Sequence, residues 1–428
     1  MSNHTQNYSQ NTLALHAGYE FDTQRTISVP IYQNTAFSFE SSEQAAARFS
    51  LQELGNIYAR VSSPTVDILQ NRLAAVEGGE FGVCTASGTA AVFYSLVNCA
   101  QNGDNILYSN KIYGGSQTLI QYTLKRFGIE AREFDIDNLN TLEEKINQNT
   151  KAIFFESLSN PQIAVADVEK IVAIAKKYNI ITICDNTVAT PFLHKPFEFG
   201  VDVIVHSLSK YINGQGNALG GVVIERKNLN ALLKNNPRYP AFNTPDPSYH
   251  GLIYANLNLP NFSIRILTEW LRNIGATLSP QNAWLILQGL ETLNLRIIKH
   301  SQNALEIAQF LNSHSEVKSV SYPALETNIY HSLLKKYFTN SYASGLLSFE
   351  ARDFEHAKKI CNSTKIFKIV ANLGDSKSLL IHPASTTHSQ LNEEELKAAG
   401  ITKSTIRLSI GLEDVKDLIG DLKQAIEG

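Results

Sequence analysis

The stretch IITICDNTVATPFLHKPFEFGVDVIVHSLSKY, residues 180–211, holds two short apolar runs, and each ends in polar residues able to do chemistry. The runs IITIC and VDVIV are rich in β-branched side chains and read as strands buried on both faces. Upstream, FGVCTAS, NILYS, EAREF and KAIFFE have the same character, and ALGGVVIE follows downstream. Between the runs lie helical patterns such as DVEKIVAIAKKY, residues 167–178, whose apolar residues recur three and four apart. Seven such runs alternating with helices predict an α/β fold on a mostly parallel seven-stranded sheet covered on both faces. Ligands of such sheets gather at the carboxyl ends of the strands, so the residues just after each run are the first candidates for a site.

Residues 1–60 are irregular, with Pro30, Gly55 and polar stretches, and are expected to form an arm that contributes to a neighbouring subunit. Residues 61–275 make the main, ligand-binding domain. A smaller α/β domain, residues 276–428, opens with Ser279 and Pro280, a good N-cap and first-turn pair, and contains the strands KSVSY, GLLSFE and STIRLSIG. Residues 235–260, NNPRYPAFNTPDPSYHGLIYANLNLP, are dense in Pro, Asn and Tyr, which disfavours helix and central strand. They are expected to form an ordered excursion near the site or at an interface.

With 428 residues, 43% of them hydrophobic, the chain can bury a large core divided into more than one compact unit. A formal net charge of -3, with lysines and arginines scattered, gives no basic footprint, so nucleic acid is not an expected partner. The opening MSNHTQNYSQNT lacks a signal-peptide layout and no apolar run reaches transmembrane length. No membrane association and a cytoplasmic location are therefore expected. Cys84, Cys99, Cys184 and Cys361 form no CxxC pair and read as reduced core thiols, with no metal site.

Lys210 closes the run VIVHSLSKY, and a lone lysine after a strand is usually solvated. Its company changes that reading. Twenty-five residues earlier, IITIC ends in Asp185, followed by Asn186, Thr187, Thr190 and Pro191. A carboxylate at the end of a buried strand is costly unless it meets a positive partner. A protonated pyridine nitrogen is such a partner, and pyridoxal 5'-phosphate works as an electron sink only while that nitrogen keeps its proton. Asp185 and Lys210 therefore suit opposite ends of one such cofactor. In Ala86-Ser87-Gly88-Thr89-Ala90 a strand turns into a helix with small residues at its first turn, where backbone N–H groups and hydroxyls can cradle a phosphate. Gly214, Gly216 and Gly220 miss the GxGxxG spacing and follow the lysine turn, which argues against a dinucleotide site.

Through YARVSSPT, ASGTAA, YGG, ESLSNP, DNTVATP, HSLSKY and TIRLSIGLED, the chain resembles the Cys/Met-metabolism family of pyridoxal phosphate enzymes over nearly its whole length. The resemblance implies the fold type I architecture and a homotetramer of two dimers, with each active site shared within a dimer. It implies Lys210 as the Schiff-base lysine, Ser207 and Ser209 with Ser87, Gly88 and Thr89 on the phosphate, Asp185 at the pyridine nitrogen, and Thr187 among the cofactor-binding residues. Tyr58 and Arg60, in YAR, are expected to reach the neighbouring subunit's phosphate, where an arginine fork suits the ligand. Tyr113 is expected to stack on the ring and exchange protons with the substrate. Arg407 would clamp the substrate's α-carboxylate, with Asn160 and Asn372 completing the substrate site. Lys210, Tyr113 and Tyr58 are the catalytic candidates.

Within the family, Asn372 in VANLGD, the segment PSYHGL and the segment HPASTTHSQL make the chain most similar to O-acetylhomoserine sulfhydrylases. Gly114-Gly115 after Tyr113 departs from methionine γ-lyases, which typically carry a cysteine there. That resemblance implies a γ-replacement turning O-acetyl-L-homoserine and a sulfide-level donor into L-homocysteine and acetate, in methionine biosynthesis. Cystathionine γ-synthase and methionine or cystathionine γ-lyase activities are the alternatives. Free sulfide, methanethiol and a sulfur-carrier protein all stay open as donors, as does acetyl against succinyl.

Overall fold

The computed structural model describes residues 8–386, Leu396 and residues 400–428. Seven strands build the main sheet: β1 Phe81–Thr85, β2 Asn105–Ser109, β3 Glu130–Phe134, β4 Thr150–Glu156, β5 Ile181–Asp185, β6 Val203–Ser207 and β7 Gly221–Glu225. Their order across the sheet is β1-β7-β6-β5-β4-β2-β3. Every expected run is present, with ends shifted by a few residues. Only β7 runs against the rest, antiparallel to both β6 and β1. It follows β6 without a crossover helix, so the chain turns back through the lysine loop and pairs with the strand it has just left.

The centre of this sheet is dry. All seven residues of β4 are buried. Apolar side chains cover it on both faces: Ile153, Phe155, Cys184 and Ile204 belong to one cluster, Phe154, Ile183, Val203 and Val205 to the other. The helix Val168–Lys177 buries Val168, Ile171, Val172 and Ala175 and leaves its lysines outside, as the spacing of residues 167–178 predicts. All four cysteines are buried and free.

A second sheet has five strands, β8 Val317–Ser321, β9 Leu346–Ala351, β10 Lys368–Ile369, β11 Leu379–Ile381 and β12 Thr405–Ser409, in the order β10-β11-β12-β9-β8. The short β10 and β11, of two and three residues, carry no periodic signal of their own. The helix Pro280–Glu291 starts where Ser279 and Pro280 predict, with the Ser279 hydroxyl accepting from the Asn282 N–H at 3.2 Å. From the next helix, Leu293–Ser313, the buried Arg296 reaches across to the carbonyls of Tyr211 at 2.8 Å and Ile212 at 3.1 Å. One buried guanidinium thus fastens the lysine loop to the second half of the chain.

The first sixty residues are less bare than their composition suggests, since they hold the helices Gln10–His16 and Ser42–Phe49. The excursion 235–260 keeps to single turns at Pro240–Asn243, Pro247–Tyr249 and Tyr254–Asn256. It is tied to the sheet by the Tyr239 hydroxyl, which donates to the Lys151 carbonyl at 2.8 Å. It meets the arm where the Tyr249 hydroxyl donates to the Phe49 carbonyl at 2.9 Å.

Candidate active site

Three strands ending side by side create the site. β4 ends in Glu156, β5 in Asp185 and β6 in Ser207, with Glu156 opposite Asp185 in register and Asp185 opposite Val205. Asp185 accepts the Thr187 N–H at 2.9 Å, and the Thr187 hydroxyl accepts the Ser207 N–H at 2.8 Å, which locks the two strand ends together. Burial raises the Asp185 pKa, against the opposing pull of the Thr187 bonds and of His206. Among the described residues Asp185 has no lysine or arginine partner, so a cation brought by a ligand would relieve it.

Lys210 follows on the loop after β6. Its ammonium donates to the Asn372 side-chain oxygen at 2.6 Å, and burial, with Arg407 next, brings its pKa down to about 8. The neutral, nucleophilic amine therefore becomes accessible near pH 8, well below the range of a free lysine.

At the next edge, Ser87 caps the helix Gly88–Val97 by accepting the Ala90 N–H at 3.1 Å. This leaves first-turn N–H groups and the exposed Thr89 facing outward. Gly88 lies so close to β6 that a Cβ there would sit 2.6 Å from the Ser207 Cβ. A helix start pressed this tightly on a strand end is a cradle of the shape a phosphate needs. Ser209 is placed differently: its hydroxyl accepts the Gly220 N–H at 3.0 Å and donates to the Gly220 carbonyl at 3.3 Å, so its first commitment is to the loop.

Arg407 stands in β12, the central strand of the second sheet, and is 5% exposed, not the solvated edge residue that a strand arginine usually is. It donates to the Asn160 side-chain oxygen at 3.1 Å and to the Asn372 carbonyl at 2.7 Å, while its Nε is buried without a partner. Burial brings its pKa down to about 10. No carboxylate among the described residues pairs with it, so it is a buried cation awaiting an anion. Asn372 joins the two charged groups, taking Lys210 on its side chain and Arg407 on its backbone.

Tyr113 precedes the short helix Gly114–Thr118 and is 44% exposed. A Cβ on Gly115 would lie 2.4 Å from the Tyr113 ring, so the ring in this position rests directly over the glycine. The Tyr113 N–H donates to Glu156 at 2.7 Å. Tyr58 and Arg60 are not brought to Lys210. Both are exposed, the Arg60 guanidinium lies over the Tyr58 ring and donates to the Arg272 carbonyl, and the Arg60 carbonyl accepts the Thr277 hydroxyl at 2.8 Å. In the HPASTTHSQL segment, residues 387–391 lie outside the described residues, while His382 bonds the Lys403 carbonyl at 2.7 Å.

The residue that sequence reasoning passed over is Glu156, the first letter of ESLSNP. Like Asp185 it is a carboxylate ending a buried strand, and that shared pattern was the available signal.

A lysine amine with a lowered pKa, a buried carboxylate lacking a cation, a tight helix start and an unpaired buried arginine fit the aldehyde, pyridine nitrogen and phosphate of pyridoxal phosphate and the carboxylate of an amino acid. Fold and site together define a pyridoxal phosphate-dependent enzyme of fold type I. The chain belongs to the family described as Cys/Met metabolism PLP-dependent enzyme, which matches residues 11–427. It is 39% identical to the O-acetyl-L-homoserine sulfhydrylase of Leptospira meyeri, covering 98% of this chain and 97% of that protein. Against the O-acetyl-L-homoserine sulfhydrylase of Corynebacterium glutamicum it is 40% identical, with 96% and 95% covered. Among solved structures, a Campylobacter jejuni protein provisionally described as an O-acetylhomoserine (thiol)-lyase is 70% identical, with a TM-score of 0.98 over 98% of this chain and 100% of that one. That structure carries a pyridoxyl-lysine phosphate.

Proposed function

We propose that this chain converts O-acetyl-L-homoserine and a sulfide-level donor into L-homocysteine and acetate. The C–O bond at Cγ breaks, acetate leaves with the electron pair, and a C–S bond forms at the same carbon. The observation that carries the reading is Asn372, whose side chain holds the Lys210 amine and whose carbonyl holds Arg407. One residue thereby sets the proton-moving group beside the receptor for an amino acid's carboxylate. The names of the similar proteins support the choice of ester.

Lys210, Asp185, Thr187 and the Ser87–Gly88–Thr89 turn with Ser207 hold the cofactor in this reading, with Ser209 supporting the loop. When bound, the cofactor withdraws electrons from the substrate's Cα and Cβ. Arg407 and Asn160 bind the α-carboxylate through a fork that matches its two oxygens. Lys210, with a pKa near 8, takes the proton from Cα and returns it. Tyr113, seated over Gly115, packs against the cofactor and shields the proton transfers from water.

Tyr58 and Arg60 serve a neighbouring subunit's cofactor phosphate, in a homotetramer built from two dimers. Support for this comes from their exposure and from their distance in bonding from their own chain's Lys210. A cytoplasmic location belongs to the same proposal; among the described residues no helix is long and apolar enough to cross a membrane. The test is product analysis on purified holoenzyme given O-acetyl-L-homoserine with sulfide, methanethiol or cysteine in turn, and with the succinyl ester beside it. With sulfide, homocysteine and acetate in equal amounts are expected. Cystathionine as the preferred product, or 2-oxobutyrate formed without any donor, would contradict the proposal.

A further inference from the structure

Glu156 has no charge partner among the described residues, yet it is 6% exposed and both its oxygens are occupied. One accepts the Tyr113 N–H at 2.7 Å, the other the Asn160 N–H at 3.0 Å. These two amides lie on different loops, one after β2 and one after β4. The Asn160 side chain in turn carries Arg407. A buried carboxylate held by two backbone amides alone is poor value for stability, since an apolar side chain would avoid the desolvation. Its geometry has a different result, which is that the tyrosine and the carboxylate clamp cannot move independently.

We infer that Glu156 is a positioning residue, a carboxylate bridge that sets Tyr113 and the Asn160–Arg407 clamp at a fixed separation and so selects substrates by the span of their α-amino-acid end. It rests on the reading of Arg407 given above. Two acceptor oxygens are needed as well as shape: burial and the neighbouring Asp185 charge push the Glu156 pKa up, and the carboxyl oxygens accept from both N–H groups in either protonation state. Glutamine at this position keeps the volume but presents an NH2 to one of them, leaving a donor against a donor. Aspartate keeps both oxygens but is one methylene too short to reach both N–H groups.

The experiment compares wild type, E156Q and E156D as holoenzymes. KM for O-acetyl-L-homoserine is measured together with the Kd for L-norvaline, which has the same α-amino-acid end and no leaving group at Cγ, read from the change in cofactor absorbance. In E156Q both constants rise together by roughly tenfold to a hundredfold, the loss expected where one buried N–H is left unsatisfied. E156D gives a smaller rise of the same two constants. KM for sulfide and the cofactor content per chain stay at wild-type values in both. A merely structural role would lower the active fraction and leave KM and Kd alone. Wild-type KM and Kd in E156Q, or in E156D if E156Q does not fold, overturn the inference. Wild type that fails to turn over the ester with sulfide sinks the proposed reaction instead, while the L-norvaline titration still judges Glu156.

Discussion

Gly88→Ala adds one methyl group at the tightest point of the proposed phosphate cradle. Its carbon would fall 2.6 Å from the Ser207 Cβ, 2.8 Å from the Ser207 Cα and 3.0 Å from the Ser207 hydroxyl. Carbon atoms in good contact sit about 3.5–4.0 Å apart, so a gap of roughly 1 Å has to be opened. Ser207 cannot provide it, because it ends an internal strand, pairs with Gly221 and donates its N–H to Thr187. The start of the helix Gly88–Val97 must move instead. Overpacking of this kind costs about 1–3 kcal/mol, and phosphate donors displaced by that much lose a charge-assisted bond worth about 1.5–3 kcal/mol. At about 1.4 kcal/mol per tenfold, the Kd for pyridoxal phosphate should rise roughly tenfold to a hundredfold. Titration of the apoprotein, followed by the visible absorbance of bound cofactor, measures it. Gly420→Ala is the control, since no atom lies within 4 Å of a Cβ there and its helix gains from the change. Wild-type cofactor affinity in Gly88→Ala would refute the reasoning that the cradle is formed by this close approach.

Other outcomes follow from the charges. Lys210 attacks as the neutral amine, so recapture of cofactor by apoprotein should slow as pH falls below about 8, and a flat rate from pH 6 to pH 9 would argue against the depressed pKa. Because Arg407 is the second cause of that depression, Arg407→Leu should move the midpoint upward while raising KM for the ester by at least roughly tenfold, the worth of a charged hydrogen bond. Glu225 is buried at the end of β7 with its pKa pushed up to about 8 by burial. The native state then holds a proton that the unfolded chain releases above its ordinary carboxyl pKa, so this residue subtracts stability progressively as pH rises toward 8. Glu225→Gln should therefore raise the melting temperature more at pH 9 than at pH 5, and an equal shift at both would contradict the burial argument. Arg60→Ala should weaken cofactor binding, and mixing it with Lys210→Ala during reassembly should restore part of the activity through hybrid sites; no recovery would count against a shared site.

Much of this was legible in the residues, for a physical reason. Short β-branched runs bounded by polar residues leave a buried parallel strand as their main reading, and Asp185 and Lys210 are candidates because each follows such a run. Ser279 announced its helix for the same local reason. What stayed hidden depends on neighbours distant in sequence. The reversal of β7 is decided by the path of the lysine loop, and β10 and β11 are strands only because β12 lies beside them. Arg407 looks like an edge residue until β9 and β11 flank it. Glu156 ends its strand as Asp185 does, but the Tyr113 amide that meets it lies 43 residues away, and nothing local to ESLSNP reveals that contact. The exposed positions of Tyr58 and Arg60 on their own chain likewise follow from the packing of residues 272–277.

The central claim, that Lys210 carries the cofactor, has a direct test. Borohydride reduction of the holoenzyme followed by peptide mapping should find one pyridoxyl group per chain, on Lys210, and none in Lys210→Ala. A pyridoxyl group on another lysine, or full labelling that survives Lys210→Ala, would contradict the account.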